Sequence, residues 1–271
     1  MRPFRFLTTI DGYPSLAELT AFARKAEAVG CSVFVLPDHL VEQYAVIPVL
    51  SMVAAATERL RVGGFVLNVG LRHPAVLAQD LATLDVLSGG RVEIALGAGW
   101  NKPEYDAIGL PFEPVGVRIQ RLEEALQICL QMWSDSEEPY KGTYYQLGRT
   151  LNSPQSLQRP HPFLMIGGGG EKKTLRLVAQ YADACNIAAS PAAGHKLDVL
   201  RQHCEDAGRD YSQIEKTTMV RIDPATTSDD LVRSAAEMKD LGFTTAYVYA
   251  SGITEPAKII DLMAEALPQL G

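Results

Sequence analysis

Cysteine is scarce in this chain. The four residues, Cys31, Cys129, Cys185 and Cys204, lie too far apart for the close pairs that zinc sites and disulfide frameworks use. They read as buried thiols, and no metal site is expected. Long apolar runs are missing as well. No stretch approaches the ~20 residues of a membrane helix, and Met1-Arg2-Pro3-Phe4 lacks the apolar segment of a signal peptide. No membrane association is expected, and the cytoplasm is the expected compartment. Clusters of basic residues are absent too. With 25 Lys and Arg against 32 Asp and Glu, the net charge of −7 would repel a phosphate backbone, which excludes nucleic acid as a natural partner.

What remains is globular: 47% hydrophobic and 21% charged residues over 271 positions, enough for a large core in one or two domains. No repeat or boundary is legible, so residues 1–271 read as one domain. Strand-like and helix-like runs alternate along it, the grammar of βαβ units. Phe4 to Ile10, Ser32 to Leu36, Val62 to Val69 and Arg91 to Leu96 read as the first four strands. Phe163 to Ile166, Ala184 to Ala188, Glu215 to Ile222 and Thr244 to Tyr249 read as the last four. Helices are expected between them. Ser15-Leu16-Ala17-Glu18 has the form of a capping box, and Pro74 suits the first turn of a helix running to Leu87. The longest helix is expected from Val117 to Trp133, with others near Ile47 to Arg59, Glu171 to Tyr181, Lys196 to Ala207, Asp229 to Leu241 and Pro256 to Leu267. Eight strands and eight helices fit an α/β fold of one kind, the closed (β/α)8 or TIM barrel, whose catalytic groups gather where the strands end. One segment breaks the rhythm. Residues 134–161 are polar and rich in Pro, Tyr and Ser, too long for an ordinary connection, and are a candidate lid.

Four strand ends carry unusual residues that would line one mouth. The apolar run Phe34-Val35-Leu36 stops at Pro37-Asp38-His39, where ionisable groups stand in a crevice. His39 beside Asp38 suits proton handling, the alternative being Asp38 as a cap with His39 packed on the rim. The third strand end carries Asn68 and Arg72-His73-Pro74, in which His73 is either a site residue or a helix entry. After the fourth come Gly97-Ala98-Gly99-Trp100-Asn101 and Glu104, letting something flat approach the backbone with Trp100 as a wall. After the fifth, Gly167-Gly168-Gly169-Gly170 exceeds what a turn demands. Its N–H groups and the following helix end would cradle a phosphate, with Lys172, Lys173 and Arg176 nearby. Glu93 reads as a barrel-lining polar group, and His161, His195 and His203 as surface residues.

These segments, in this order and spacing, resemble the luciferase-like monooxygenase superfamily, particularly its branch using the deazaflavin coenzyme F420. Ser88-Gly89-Gly90-Arg91 and Glu104-Tyr105 belong to the match, which runs from about Phe4 to Asn186. The resemblance implies a bacterial-luciferase-like barrel with a flavin-type ring across its mouth and the phosphate at the glycine run. It implies a bulge with a non-prolyl cis peptide behind the ring near Phe65-Val66, Asn68 facing the pyrimidine edge, and His39 exchanging a proton as hydride moves. His73, Gly97, Ala98, Gly99, Trp100 and Lys172 join the expected cofactor contacts. The Glu that sugar-phosphate-oxidising relatives place after strand four is Trp100 here, which puts that substrate class in doubt, and no role carries over to Glu104.

The expected function is an F420-dependent oxidoreductase, with His39 as proton donor or acceptor and Asp38 orienting it. An FMN-dependent monooxygenase fed by a separate reductase, or a catalytically idle flavin-binding protein, are the alternatives. Lys102, Lys172 and Lys173 would guide the anionic tail of F420 on this acidic chain. Substrate specificity would lie in residues 43–47, 134–161 and the later βα loops. A homodimer is expected by analogy with relatives.

Overall fold

The computed structural model describes residues 4–40, 43–250 and 256–270. Strands β1 (Arg5–Thr8), β2 (Val33–Leu36), β3 (Arg61–Gly64), β4 (Leu67–Asn68) and β5 (Glu93–Gly97) alternate with helices α1 (Leu16–Ala28), α2 (Val46–Ala56) and α3 (Pro74–Leu87). After α4 (Lys102–Ala107) and α5 (Val115–Met132) comes a small hairpin, β6 (Tyr140–Lys141) and β7 (Gln146–Leu147). The alternation resumes with β8 (Phe163–Gly167), α6 (Thr174–Tyr181), β9 (Ala184–Asn186) and α7 (Ala193–Asp206), then β10 (Glu215–Ile222), α8 (Ser228–Asp240), β11 (Thr245–Ala250) and α9 (Pro256–Ala266).

Nine of these strands form one sheet in the order β3-β2-β1-β11-β10-β9-β8-β5-β4, parallel at every pairing. A parallel bridge from Val62 to Val92 brings the two edges together and closes the ring. The third stave is broken. The sequence reads Val62 to Val69 as one strand, but the chain bulges at the non-prolyl cis peptide Phe65-Val66 and splits into β3 and β4. Gly63 permits the close approach of the neighbouring stave there, since a Cβ on it would stand 2.1 Å from the Glu93 carbonyl oxygen.

Local signals account for the element ends. Ser15 accepts from the Glu18 N–H while the Glu18 side chain answers the Ser15 N–H, so the capping box forms as read. Pro74 occupies the first turn of α3. Apolar side chains pack in two places. Leu7, Val35, Phe65, Met165 and Tyr247 meet inside the barrel, and a larger layer fills the space between strands and helices. At the strand N-terminal end the barrel is plugged by charge: Glu93 receives Arg5 at 2.5 Å and Arg61 at 2.7 Å, and Arg5 also reaches Glu215 at 3.0 Å. Burial holds the Glu93 carboxyl above its ordinary range against the pull of the two arginines. Glu93 is thus the barrel-lining polar group the sequence suggests.

Residues 134–161 are not a lid over the mouth. The Glu124 carboxylate on α5 accepts the N–H groups of Thr143, Tyr144 and Tyr145 at 2.7 to 3.0 Å. The buried Asp85 carboxylate on α3 binds the Ser156 hydroxyl and the N–H groups of Leu157 and Gln158. The reason is topological. A connection from a helix back to a strand starts and finishes at the end of the barrel opposite the mouth, so this one straps the outside of α3 and α5. No helix of the described residues is long and apolar enough to cross a membrane.

Candidate active site

A cavity of about 770 Å³ opens at the strand C-terminal end. That lies within the usual range for small-molecule sites. His39, Asp38, Phe65, Val66, Asn68, Gly97, Ala98, Gly99, Trp100, Gly167 and Gly168 all line it, so the residues singled out at four separate strand ends share one site.

His39 is held from an unexpected direction. Its Nδ1 lies 2.8 Å from Oε1 of Glu104, a residue only 3% exposed. Glu104 reaches it because α4, a short helix with no clear period in the sequence, folds the chain back across the mouth just after β5. Pro103 in its first turn was the available signal. With the Glu104 carboxylate accepting from Nδ1–H, Nε2 is the nitrogen left to take up or release a proton. Among the described residues it has no partner. Trp100 stands edge-on to the imidazole at 5.7 Å between ring centres and is 74% exposed, a wall at the rim.

Asp38 does not orient His39, contrary to the expectation. Its carboxylate, 4% exposed, takes both terminal nitrogens of Arg72 at 2.5 and 2.9 Å and the backbone N–H of Asn68 at 2.9 Å. A buried carboxylate needs its charge answered, and the bidentate guanidinium does so. Asp38 and Arg72 therefore pin β2 to the broken third stave. Asn68 is fixed in turn. Its Oδ1 accepts from the Gly70 N–H at 2.9 Å and from the Tyr105 hydroxyl at 2.8 Å, leaving its amide nitrogen as a donor at the cavity wall with no acceptor among the described residues. Burial raises the Tyr105 hydroxyl pKa, which keeps it a neutral donor.

The glycines in β5 and β8 answer first to the protein itself. A Cβ on Gly97 would lie 2.6 Å from Cγ2 of Val66, and one on Gly167 would lie 2.8 Å from its Cγ1. Both make room for the bulged side chain behind the cavity. Gly99, at φ +75°, leaves space for the Tyr105 hydroxyl and the Asn68 amide, each within 2.7 Å of where its Cβ would be.

The glycine run behaves differently along its length. Gly167 and Gly168 line the cavity, whereas Gly169 and Gly170 continue beyond its wall. The N–H groups of Gly169 and Gly170 meet no acceptor among the described residues. The cation there is Lys196, from α7, donating to the Gly169 carbonyl at 2.5 Å. Lys172 is exposed and is not among the cavity residues, because α6 begins only at Thr174 and leaves it on the outer turn. His73 is also absent from the lining. It caps α3, its Nδ1 accepting from the Ala75 N–H at 3.2 Å, with its ring against Tyr145. It is a helix entry, the alternative its place before Pro74 suggests. No metal-binding cluster of His, Cys, Asp and Glu occurs among the described residues.

A parallel (β/α)8 barrel with a polar, glycine-walled mouth and a bulged third stave defines a class of ligand-binding barrel. The family model for luciferase-like monooxygenases matches residues 2–265, and the chain belongs to that family. It is 31% identical over 242 residues to an F420-dependent glucose-6-phosphate dehydrogenase of Kineococcus radiotolerans, covering 79% of this chain and 69% of that protein. It is 34% identical over 126 residues to an FMNH2-dependent dimethylsulfone monooxygenase of Pseudomonas putida, covering 46% of this chain and 34% of that protein. Among solved structures, the coenzyme F420-dependent tetrahydromethanopterin reductase of Methanopyrus kandleri superposes with a TM-score of 0.87 at 19% identity over the whole of both chains. An F420-dependent secondary alcohol dehydrogenase does so with a TM-score of 0.89, also at 19% identity and full coverage. The structural likeness shows the fold, and the family makes this chain an oxidoreductase.

Proposed function

We propose that this protein transfers a hydride between coenzyme F420 and a small organic substrate. The observation that carries the reading is the placement of His39. Its Nδ1 is tied to buried Glu104, its Nε2 is unpartnered among the described residues, and it faces the same cavity as Asn68 and Gly168.

The residues present fit a deazaflavin. Val66 stands behind the mouth, the amide nitrogen of Asn68 offers a donor to a ring carbonyl, and the N–H groups of Gly169 and Gly170 offer donors to a phosphate. Thr174, at the same end, adds a hydroxyl. When bound, F420 supplies two-electron hydride chemistry and little else, because carbon replaces the flavin nitrogen that reacts with oxygen. The chain's own part is the proton. His39 holds or releases one at Nε2, Glu104 fixes the ring through Nδ1, and the Asp38–Arg72 pair keeps Asn68 in position.

A second reading rests on the similarity to the Pseudomonas putida monooxygenase: reduced FMN in the same mouth, with oxygen as co-substrate. Titration with F420 and with FMN, followed by fluorescence quenching, tests the choice. F420 is expected to bind tighter, and preference for FMN together with oxygen uptake would replace the first reading by the second. His39→Ala should retain cofactor binding and lose turnover by roughly 10²- to 10⁴-fold, and unchanged turnover would remove His39 from the chemistry. Glu104→Gln keeps the hydrogen bond without the charge, and its loss should be smaller than that of His39→Ala.

A further inference from the structure

Among the described residues, the charged groups lining the mouth cavity are answered one by one, with a single exception. Asp38 has Arg72, Glu104 has His39, and Arg118 donates to the Gly99 carbonyl at 2.6 Å. Asp11, which follows β1 and is exposed to solvent at the cavity edge, has no hydrogen bond or ion pair among the described residues. Asp11 and Pro37 also line a separate recess of about 570 Å³ beside the cavity.

Acceptors and one tyrosine, Tyr13, line the recess. The Gln43 side-chain nitrogen donates to the Pro37 carbonyl and faces that of Tyr44 at 3.4 Å, so the amide cannot be turned round, and its oxygen is left as an acceptor. Tyr13 forms part of the wall and packs edge-on against Tyr44 at 5.2 Å between ring centres. Among the described residues, no lysine or arginine lines the recess. A carboxylate that no cation of the described residues answers, sharing a recess with the exposed Tyr13, is suited to a positively charged nitrogen, which it would hold by a charge-assisted hydrogen bond with the tyrosine alongside. It repels a phosphate or a carboxylate.

We infer that the Asp11 recess is the substrate subsite of this protein and that it receives a cationic nitrogen group, such as a primary or substituted ammonium. Calling the occupant the substrate rests on the redox reading of the neighbouring cavity, whereas the binding itself does not depend on any cofactor.

Equilibrium titration of the full-length protein without cofactor tests it, with benzylammonium, benzyl alcohol and benzoate as probes of one shape and three charges. Benzylammonium should bind about tenfold tighter than benzyl alcohol, with benzoate weakest. Asp11→Asn should bring benzylammonium down to the level of the alcohol and leave the alcohol unchanged. Equal affinity for alcohol and ammonium, no measurable ammonium binding, or an Asp11→Asn variant that binds ammonium as before would each overturn the proposal. Because no cofactor is present, failure here leaves the F420 titration standing, and failure there leaves this result intact.

Discussion

Placing one methyl group on β5 tests how the site is built. In Gly97→Ala the new Cβ stands 2.6 Å from Cγ2 of Val66, whereas carbon atoms in contact prefer roughly 3.5 to 4.0 Å. Neither side gives easily, because β5 is paired with β4 and β8 and cannot withdraw. Val66 must move toward the cavity by about 1 Å, the gap between those two distances. Overpacking of this kind costs about 1 to 3 kcal/mol, against a gain of roughly 0.5 to 1 kcal/mol from replacing glycine in a strand. At an unfolding entropy near 2.1 cal/mol/K per residue over this length, the net loss, up to about 2.5 kcal/mol, lowers the melting temperature by up to roughly 4 °C. The cure follows from the same coordinates. In Val66→Ala both Cγ atoms are gone, and the nearest remaining atom, Cβ, lies 3.7 Å from the introduced Cβ, an ordinary contact. A double-mutant cycle by calorimetry or denaturant unfolding should therefore show a coupling of at least about 1 kcal/mol, with the double variant more stable than the sum of the singles predicts. Cofactor affinity should fall in Gly97→Ala and recover in the double variant. Additive losses would refute the argument that Gly97 is there for Val66.

Two further outcomes follow from the charges. Arg72→Leu leaves the Asp38 carboxylate buried without its guanidinium and should cost about 3 kcal/mol in urea unfolding, while a loss below 1 kcal/mol would mean that the pair does not pin β2 to β4. The pH dependence of the Asp11 recess has a definite sign. Partial desolvation at the recess edge holds the Asp11 carboxyl above its ordinary range, and the benzylammonium probe stays charged throughout. Affinity should be complete at neutral pH and fall on acidification, starting at higher pH than a free aspartate with a pKa of about 3.9 would give. Asp11→Asn should be flat over the same range, and a wild-type affinity that does not change down to the acid unfolding limit would sink the assignment.

The alternation of strands and helices was legible because it is written locally. A buried parallel strand needs an unbroken apolar run, a helix needs its 3.6-residue stripe, and caps such as Ser15 with Glu18 are settled within four residues. The location of the site was legible for the same reason. Ionisable residues at strand ends, such as Asp38 and His39, can stand only where the strands stop, and in a barrel those ends share one rim. Which groups would meet across that rim was not. Glu104 is 65 residues from His39 and Arg72 is 34 from Asp38, and each pair exists only because separate βα units pack side by side. Gly97 and Gly167 looked like an opening for a ligand, yet they are small because the Val66 side chain stands between them. Lys196 comes to Gly169 from the next helix along. The chain's periodicity thus determined by itself how many staves the barrel has and where its mouth lies. The pairing of charges and the filling of space inside that mouth were decided by tertiary packing, since contacts between remote elements leave no period in the sequence.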